Sequence, residues 1–218
     1  MLMFDFDIER ILLTLPGILL ALSFHEFAHA LASDRLGDPT PRAQGRLTLN
    51  PLPHIDFIGF MLLIFAGFGW ARPVSVDSRY YKNPRRDKVI VSAAGPAMNL
   101  FLAAVFAVFL KILVVYGEKT SMSVTLFGTV ASMFLYTINI NLVLFLFNLL
   151  PIPPLDGFHI LAEIIPPRRY KIIYILQQYS TIILIIIVIT PIVSFIIRPP
   201  IRFIFSALMR LLNMPMFI

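Results

Sequence analysis

Residues 8–32 read IERILLTLPGILLALSFHEFAHALA. At 1.5 Å per residue this segment can cross a hydrocarbon core of roughly 30 Å as one helix. Gly37, Asp38, Pro39 and Pro41 then end it. Its apolar character is shared by the whole chain of 218 residues, which is 58% hydrophobic and only 14% charged. So little charge is rare in a soluble domain of this size, and long apolar runs such as Leu100 to Val115 make the chain a membrane protein by composition. Cysteine is absent, which excludes disulfides and thiolate metal sites, so any metal is held by His, Asp or Glu.

Three further segments are long enough to span: Lys88 to Tyr116, Val124 to Leu150 and Ile172 to Ile197, the last closed by Pro199 and Pro200. Ile55 to Phe68 is apolar but short, and is expected to be re-entrant or strongly tilted. It runs into Gly67 to Val76, whose glycines, Pro73 and alternating valines suit an irregular strand. Ile201 to Leu212, carrying Arg202 and Arg210, is expected to lie at the interface. The expected fold is therefore an all-α polytopic membrane protein with about four full transmembrane helices, a short re-entrant or tilted segment with a small extended element, and a C-terminal interfacial helix. It reads as one domain over 1–218, with its core in 8–165 and C-terminal helices in 166–218.

Nine of the eighteen Lys and Arg residues fall between Arg35 and Lys88. The positive-inside rule puts this stretch in the cytoplasm and the acidic N-terminus, MLMFDFDIER, outside. That start has no basic region and no small-residue cleavage site, so no cleaved signal peptide is expected. The net charge of +6 is thus a topology signal, and no nucleic-acid partner is expected.

The chemistry centres on His25-Glu-Phe-Ala-His29. Residues four apart share a helix face, so both imidazoles can reach one metal ion, and Glu26 can approach a water on it. Ionisable groups inside an apolar helix are costly and usually functional, so three of them within five positions need a common reason. This is a metalloprotease arrangement, with Glu26 as general base. A catalytic zinc site needs a third protein ligand and an open position. Asp156, His54 and His159 are the candidates. The first and third spans run in the same direction, so Asp156, just beyond the third, reaches the membrane face near which His29 lies, and is preferred. His54 is read as a hydrogen-bond donor near the metal, a fourth ligand, or a residue of its Pro-rich turn.

Together with Asn148-Leu-Leu-Pro-Ile-Pro-Pro-Leu-Asp-Gly157, the histidine motif resembles the site-2 protease family of intramembrane zinc metalloproteases (peptidase family M50). The likeness is to its small prokaryotic branch without a PDZ or CBS domain. Asn50-Pro-Leu-Pro-His-Ile-Asp56, Gly69-Trp-Ala-Arg-Pro-Val74 and Ala94-Gly-Pro-Ala-Met-Asn99 carry the same resemblance, which covers roughly Ser23 to Gly157. It implies one Zn²⁺ per chain on His25, His29 and Asp156, with Glu26 as base, in a multi-pass protein of a prokaryotic plasma membrane that cuts transmembrane proteins or peptides near the cytoplasmic face. It also implies that the segment around Gly67 to Val76, with Gly67 and Gly69 at its start, offers an edge strand to an unwound substrate. Asn148 is expected to face the site, either as a donor to the oxyanion or substrate backbone, or as a helix-end amide.

Overall fold

The computed structural model describes residues 8–66, 69–117, 119–120, 122–166 and 170–214. Its frame is α1 (Ile8–Arg35), α4 (Pro84–Gly117) and α5 (Val124–Asn148), joined by the short helices α2 (Thr40–Ala43) and α3 (Phe57–Ala66) between α1 and α4. After α5 come α6 (Asp156–Ile164), α7 (Tyr170–Gln178), α8 (Ser180–Ile189) and α9 (Ile192–Leu211). Four helices, α1, α4, α5 and α9, are long and apolar enough to cross a membrane. This is an all-α, multi-pass architecture, and among the described residues there is no strand, only one isolated antiparallel bridge between Ile55 and Ala71.

Local chemistry explains the boundaries. Ser123 caps α5 by accepting the Leu126 N–H at 3.2 Å. Pro84 opens α4, where its missing N–H costs nothing, and the Asp87 carboxylate reaches back to the Asn83 N–H at 2.9 Å. Small residues let the spans approach closely. A Cβ on Gly17 of α1 would strike Thr137 of α5. The apolar core lies between α4, α5 and α9, built on Ala103, Ala107, Leu110, Ile138, Leu142 and Met209, all fully buried. Lys111 of α4 donates to the Asn213 carbonyl at 3.2 Å, so the end of α9 sits beside the C-terminal part of α4.

The C-terminal part departs from the sequence reading. Ile172 to Ile197 is not one continuous helix: α7 and α8, together apolar enough for a broken span or a re-entrant loop, meet at a bend of 64°, and Pro191 stands before α9. Ile201 to Leu212 is not a separate interfacial helix but the second part of α9, with Pro199 and Pro200 inside it. The physical reason is a comparison of losses. Two prolines remove two N–H donors from a helix, whereas ending it in an apolar medium strands up to four carbonyls on one side of the break and four N–H groups on the other. Packing of Ile201, Ile204, Phe205 and Leu208 against the core favours continuation.

The described part of the Ile55–Phe68 segment, up to Ala66, is one arm of a hairpin. Its helix, α3, covers ten residues, about 15 Å. Asp56 caps it by accepting the Gly59 N–H at 2.9 Å. The chain returns along Gly69 to Val74, and the Arg72 N–H donates to the His54 carbonyl at 2.8 Å. The two ends of the excursion are therefore side by side, the arrangement that a re-entrant path requires. Gly59 and Gly69 make this possible, since a Cβ on Gly69 would strike the Gly59 carbonyl and Leu63. Gly67 and Phe68 lie outside the described residues.

Two buried polar residues fasten the returning segment. The Arg46 guanidinium donates to the carbonyls of Pro53 and Arg72. Asp38, fully buried, accepts from the Ser33 hydroxyl at 2.7 Å, the Thr40 N–H at 2.9 Å and the Asp77 N–H at 2.7 Å. Burial pushes the Asp38 carboxyl up, but these donors outweigh it and hold it below the usual carboxylate range. Its stabilisation is thus present above the unfolded value and fades as pH falls through the lower folded one.

Candidate metal centre

His25 and His29 project from the same face of α1, and Asp156 stands in the first turn of α6. The His25 Nε2 and His29 Nε2 atoms lie 3.2 and 3.3 Å from one Asp156 carboxylate oxygen, and 3.0 Å from each other. Asp156 is delivered by the turn after α5: that helix ends at Asn148, the chain turns through the seven residues Leu149 to Leu155, and α6 begins. Gly157 makes the turn tight. A Cβ there would strike the carbonyls of Leu149 and Leu150. Glycine is needed for this close approach, and not for a left-handed backbone as an Asp-Gly pair first suggests.

The far side of each imidazole is fixed. His29 Nδ1 lies 2.7 Å from the Val91 carbonyl of α4, an acceptor only, so Nδ1 carries the hydrogen. His25 Nδ1 lies 2.6 Å from Asn99 Oδ1. The Asn99 amide nitrogen donates to the Ala21 carbonyl at 3.1 Å and to Asn141 Oδ1 at 3.0 Å, which orients the amide and puts the hydrogen on His25 Nδ1 as well. Both Nε2 lone pairs then point at a carboxylate oxygen that is buried and has no hydrogen-bond donor among the described residues. Three electron-rich atoms at this spacing repel one another unless a cation sits among them. Tetrahedral N and O ligands at about 2.0–2.1 Å from one ion stand about 3.3 Å apart, close to the spacing found here. The three residues fit a metal ion.

Gly95 completes the arrangement from α4. A Cβ on it would strike His29 Nε2 and the His25 ring, so only glycine leaves the imidazoles their room. Neither Gly95 nor Asn99 was assigned a role from sequence. The signal for Asn99 was there: a lone amide in an apolar span, fully buried, calls for the same explanation as a histidine in one.

Glu26 is buried on the same helix, and its carboxylate accepts the Val74 N–H at 2.9 Å. A cavity of about 570 Å³ opens over His25, Glu26, His29 and Asp156. Gly69, Trp70, Val74, Leu144, Phe147 and Asn148 are among its walls. Asn148 also donates to the Leu144 carbonyl of its own helix at 3.0 Å, so its amide serves the helix end while facing the cavity. His159 is exposed and lines the cavity outside the three-residue cluster. His54 is elsewhere: it is buried under the Pro-rich turn, with Nε2 2.8 Å from the Thr48 carbonyl, and does not line the cavity.

The profile of Peptidase family M50 matches residues 13–190. The chain belongs to peptidase family M50. It is 41% identical over 183 residues to "Putative zinc metalloprotease YwhC" of Bacillus subtilis, covering 84% of this chain and 82% of that one. It is 33% identical over 184 residues to "Putative zinc metalloprotease Rip2" of Mycolicibacterium smegmatis, covering 83% of this chain and 68% of that one, and 29% identical over 185 residues to the Rip2 of Mycobacterium tuberculosis. No solved structure matches. This M50 peptidase is thus a zinc metalloprotease of the multi-pass membrane type.

For this M50 peptidase, Asn99→Ala leaves the His25 Nδ1–H without its acceptor and frees the ring to turn. Zinc affinity, measured by competition with a chromophoric chelator, is expected to fall tenfold to hundredfold, the usual loss for a partner behind a metal-ligating histidine.

Proposed function

We propose that this M50 peptidase is an intramembrane endopeptidase that hydrolyses peptide bonds of transmembrane proteins or peptides, with its active site toward the cytoplasmic face of a prokaryotic plasma membrane. The observation that carries the reading is the convergence of His25 and His29, with Glu26 beside them on a helix otherwise apolar enough to span, with Asp156 at the start of α6. Nine basic residues between Arg35 and Lys88 support a cytoplasmic site and an outside N-terminus, so cleavage releases a cytosolic fragment or trims a membrane remnant.

In this reading His25, His29 and Asp156 hold one zinc ion, and Asn99 and the Val91 carbonyl keep both Nε2 lone pairs turned toward it. Zinc supplies Lewis acidity toward a peptide carbonyl and makes a water acidic enough to be deprotonated near neutral pH. Glu26 takes that water's proton and passes it to the leaving amine. A transmembrane helix hides its peptide bonds in its own hydrogen bonds, so it must unwind before it is cut. The extended segment from Gly69 to Val74, a wall of the cavity, is suited to hold it by strand addition. Asn148 faces the same cavity and is placed to donate to the substrate backbone.

The test uses purified protein in detergent with a fluorescent transmembrane peptide. Cleavage is expected with zinc, is lost on chelation, and returns when zinc is restored. Cleavage indifferent to the chelator overturns the reading.

A further inference from the structure

The returning segment has two edges. In extended backbone, the N–H and C=O of one residue share an edge, and the residue two further on uses the same edge. Arg72 spends both groups inside the protein: its N–H on the His54 carbonyl and its C=O on the Arg46 guanidinium. Val74 is next on that edge. Beyond Arg72 the edge leaves the hairpin and faces Glu26, with the Val74 N–H donating to Glu26 Oε2 at 2.9 Å. The opposite edge passes through Pro73, which has no N–H to give.

A peptide bond that is to be cut must lie beside Glu26, and hence along the Val74 edge. The donor available to it there is already engaged by the general base. We propose that the Val74 N–H is the donor that receives a substrate carbonyl, and that Glu26 covers it at rest until the substrate strand displaces the carboxylate. Docking and release of the base are then one event, so Glu26 is set free only when a strand is in place. Displacement leaves nothing stranded: the N–H gains a carbonyl, and the carboxylate turns to the water from which it takes a proton. Arg46 and Asp38, which hold the segment on either side of Val74, keep this donor aimed while the exchange occurs. The inference rests on the peptidase reading above and deepens it by naming the atom that meets the substrate.

Two variants without the catalytic base separate the idea from its rivals. Glu26→Gln keeps an acceptor for the Val74 N–H, and Glu26→Ala removes it. Both are loaded with zinc and titrated with a fluorescein-labelled apolar peptide of about 20 residues carrying a central Asn-Gly pair to ease unwinding. Glu26→Ala is expected to bind it about tenfold more tightly, since one charge-assisted or amide acceptor no longer competes. Adding Val74→Pro to Glu26→Ala is expected to remove that gain. Equal affinity of the two Glu26 variants overturns the proposal, and so does a gain that survives Val74→Pro, which would trace it to added space. Hydrogen exchange needs no proline: the Val74 amide should exchange fast in Glu26→Ala, slowly in Glu26→Gln, and slowly again in Glu26→Ala once peptide is bound. Continued fast exchange with bound peptide also overturns the proposal. Failure of the wild type to cut the peptide would instead count against the peptidase reading, and the binding comparison would still stand.

Discussion

Glu26→Gln should lower the rate of peptide cleavage by about 10²–10⁴-fold, the usual worth of a positioned general base, while leaving one zinc per chain. The substitution is close to isosteric. Its amide oxygen can still accept the Val74 N–H, so the returning segment keeps its anchor over the cavity. His25, His29 and Asp156 are untouched, and neither imidazole hydrogen-bonds to Glu26 among the described residues. What is lost is the ability to take a proton. The check is a single-turnover rate with transmembrane peptide, alongside metal analysis and a melting curve of the same preparation. Equal cleavage by wild type and variant would remove Glu26 from the reaction. Loss of zinc together with activity would make it a supporting residue of the metal cluster and not the base.

The sequence was most legible where side-chain identity and helical period act together. His25 and His29 share a face because α-helical geometry demands it, and their cost in an apolar segment is already a functional argument. Asp156 was legible by direction of travel: two parallel spans bring His29 and Asp156 toward one face, and the structure puts the three side chains in contact. Less visible were residues whose role is defined by what they lack or by their backbone. Gly95 matters because a Cβ would enter the histidine cluster, and Gly157 because one would strike the turn after α5 at Leu149 and Leu150, neither of which a local pattern announces. Val74 acts through an N–H that every non-proline residue has. Arg46 reaches carbonyls at Pro53 and Arg72, partners far apart in sequence. The double proline in α9 misled for a related reason. Local propensity reads it as a stop, while the apolar surroundings make stopping more costly than continuing.

Asp156→Ala should reduce zinc affinity by at least about a thousandfold, well beyond the tenfold to hundredfold typical of partners behind the ligands, and bring cleavage to background. Removing the carboxylate leaves two neutral imidazoles on one helix, and the nearest remaining anion, Glu26, is held by the Val74 N–H and does not contact either Nε2 atom, so a divalent cation in this buried site loses its balancing ligand. Among the described residues neither of the other two histidines can replace it. His159 is exposed, and His54 is held by the Thr48 carbonyl outside the cavity. The fold should survive the change, because α6 keeps its other fastening to α4: Lys88 donates to Glu163 at 2.9 Å, and Phe158 remains fully buried. Metal analysis after dialysis against a weak chelator is the direct measurement, with a melting curve to show that the variant is intact. His54→Ala is the informative contrast. It should retain one zinc per chain under the same dialysis, since its ring makes no contact with the cluster. If His54→Ala loses zinc while Asp156→Ala keeps it, the third ligand is His54, and α6 must stand further from α1 than the 3.2 and 3.3 Å contacts place it.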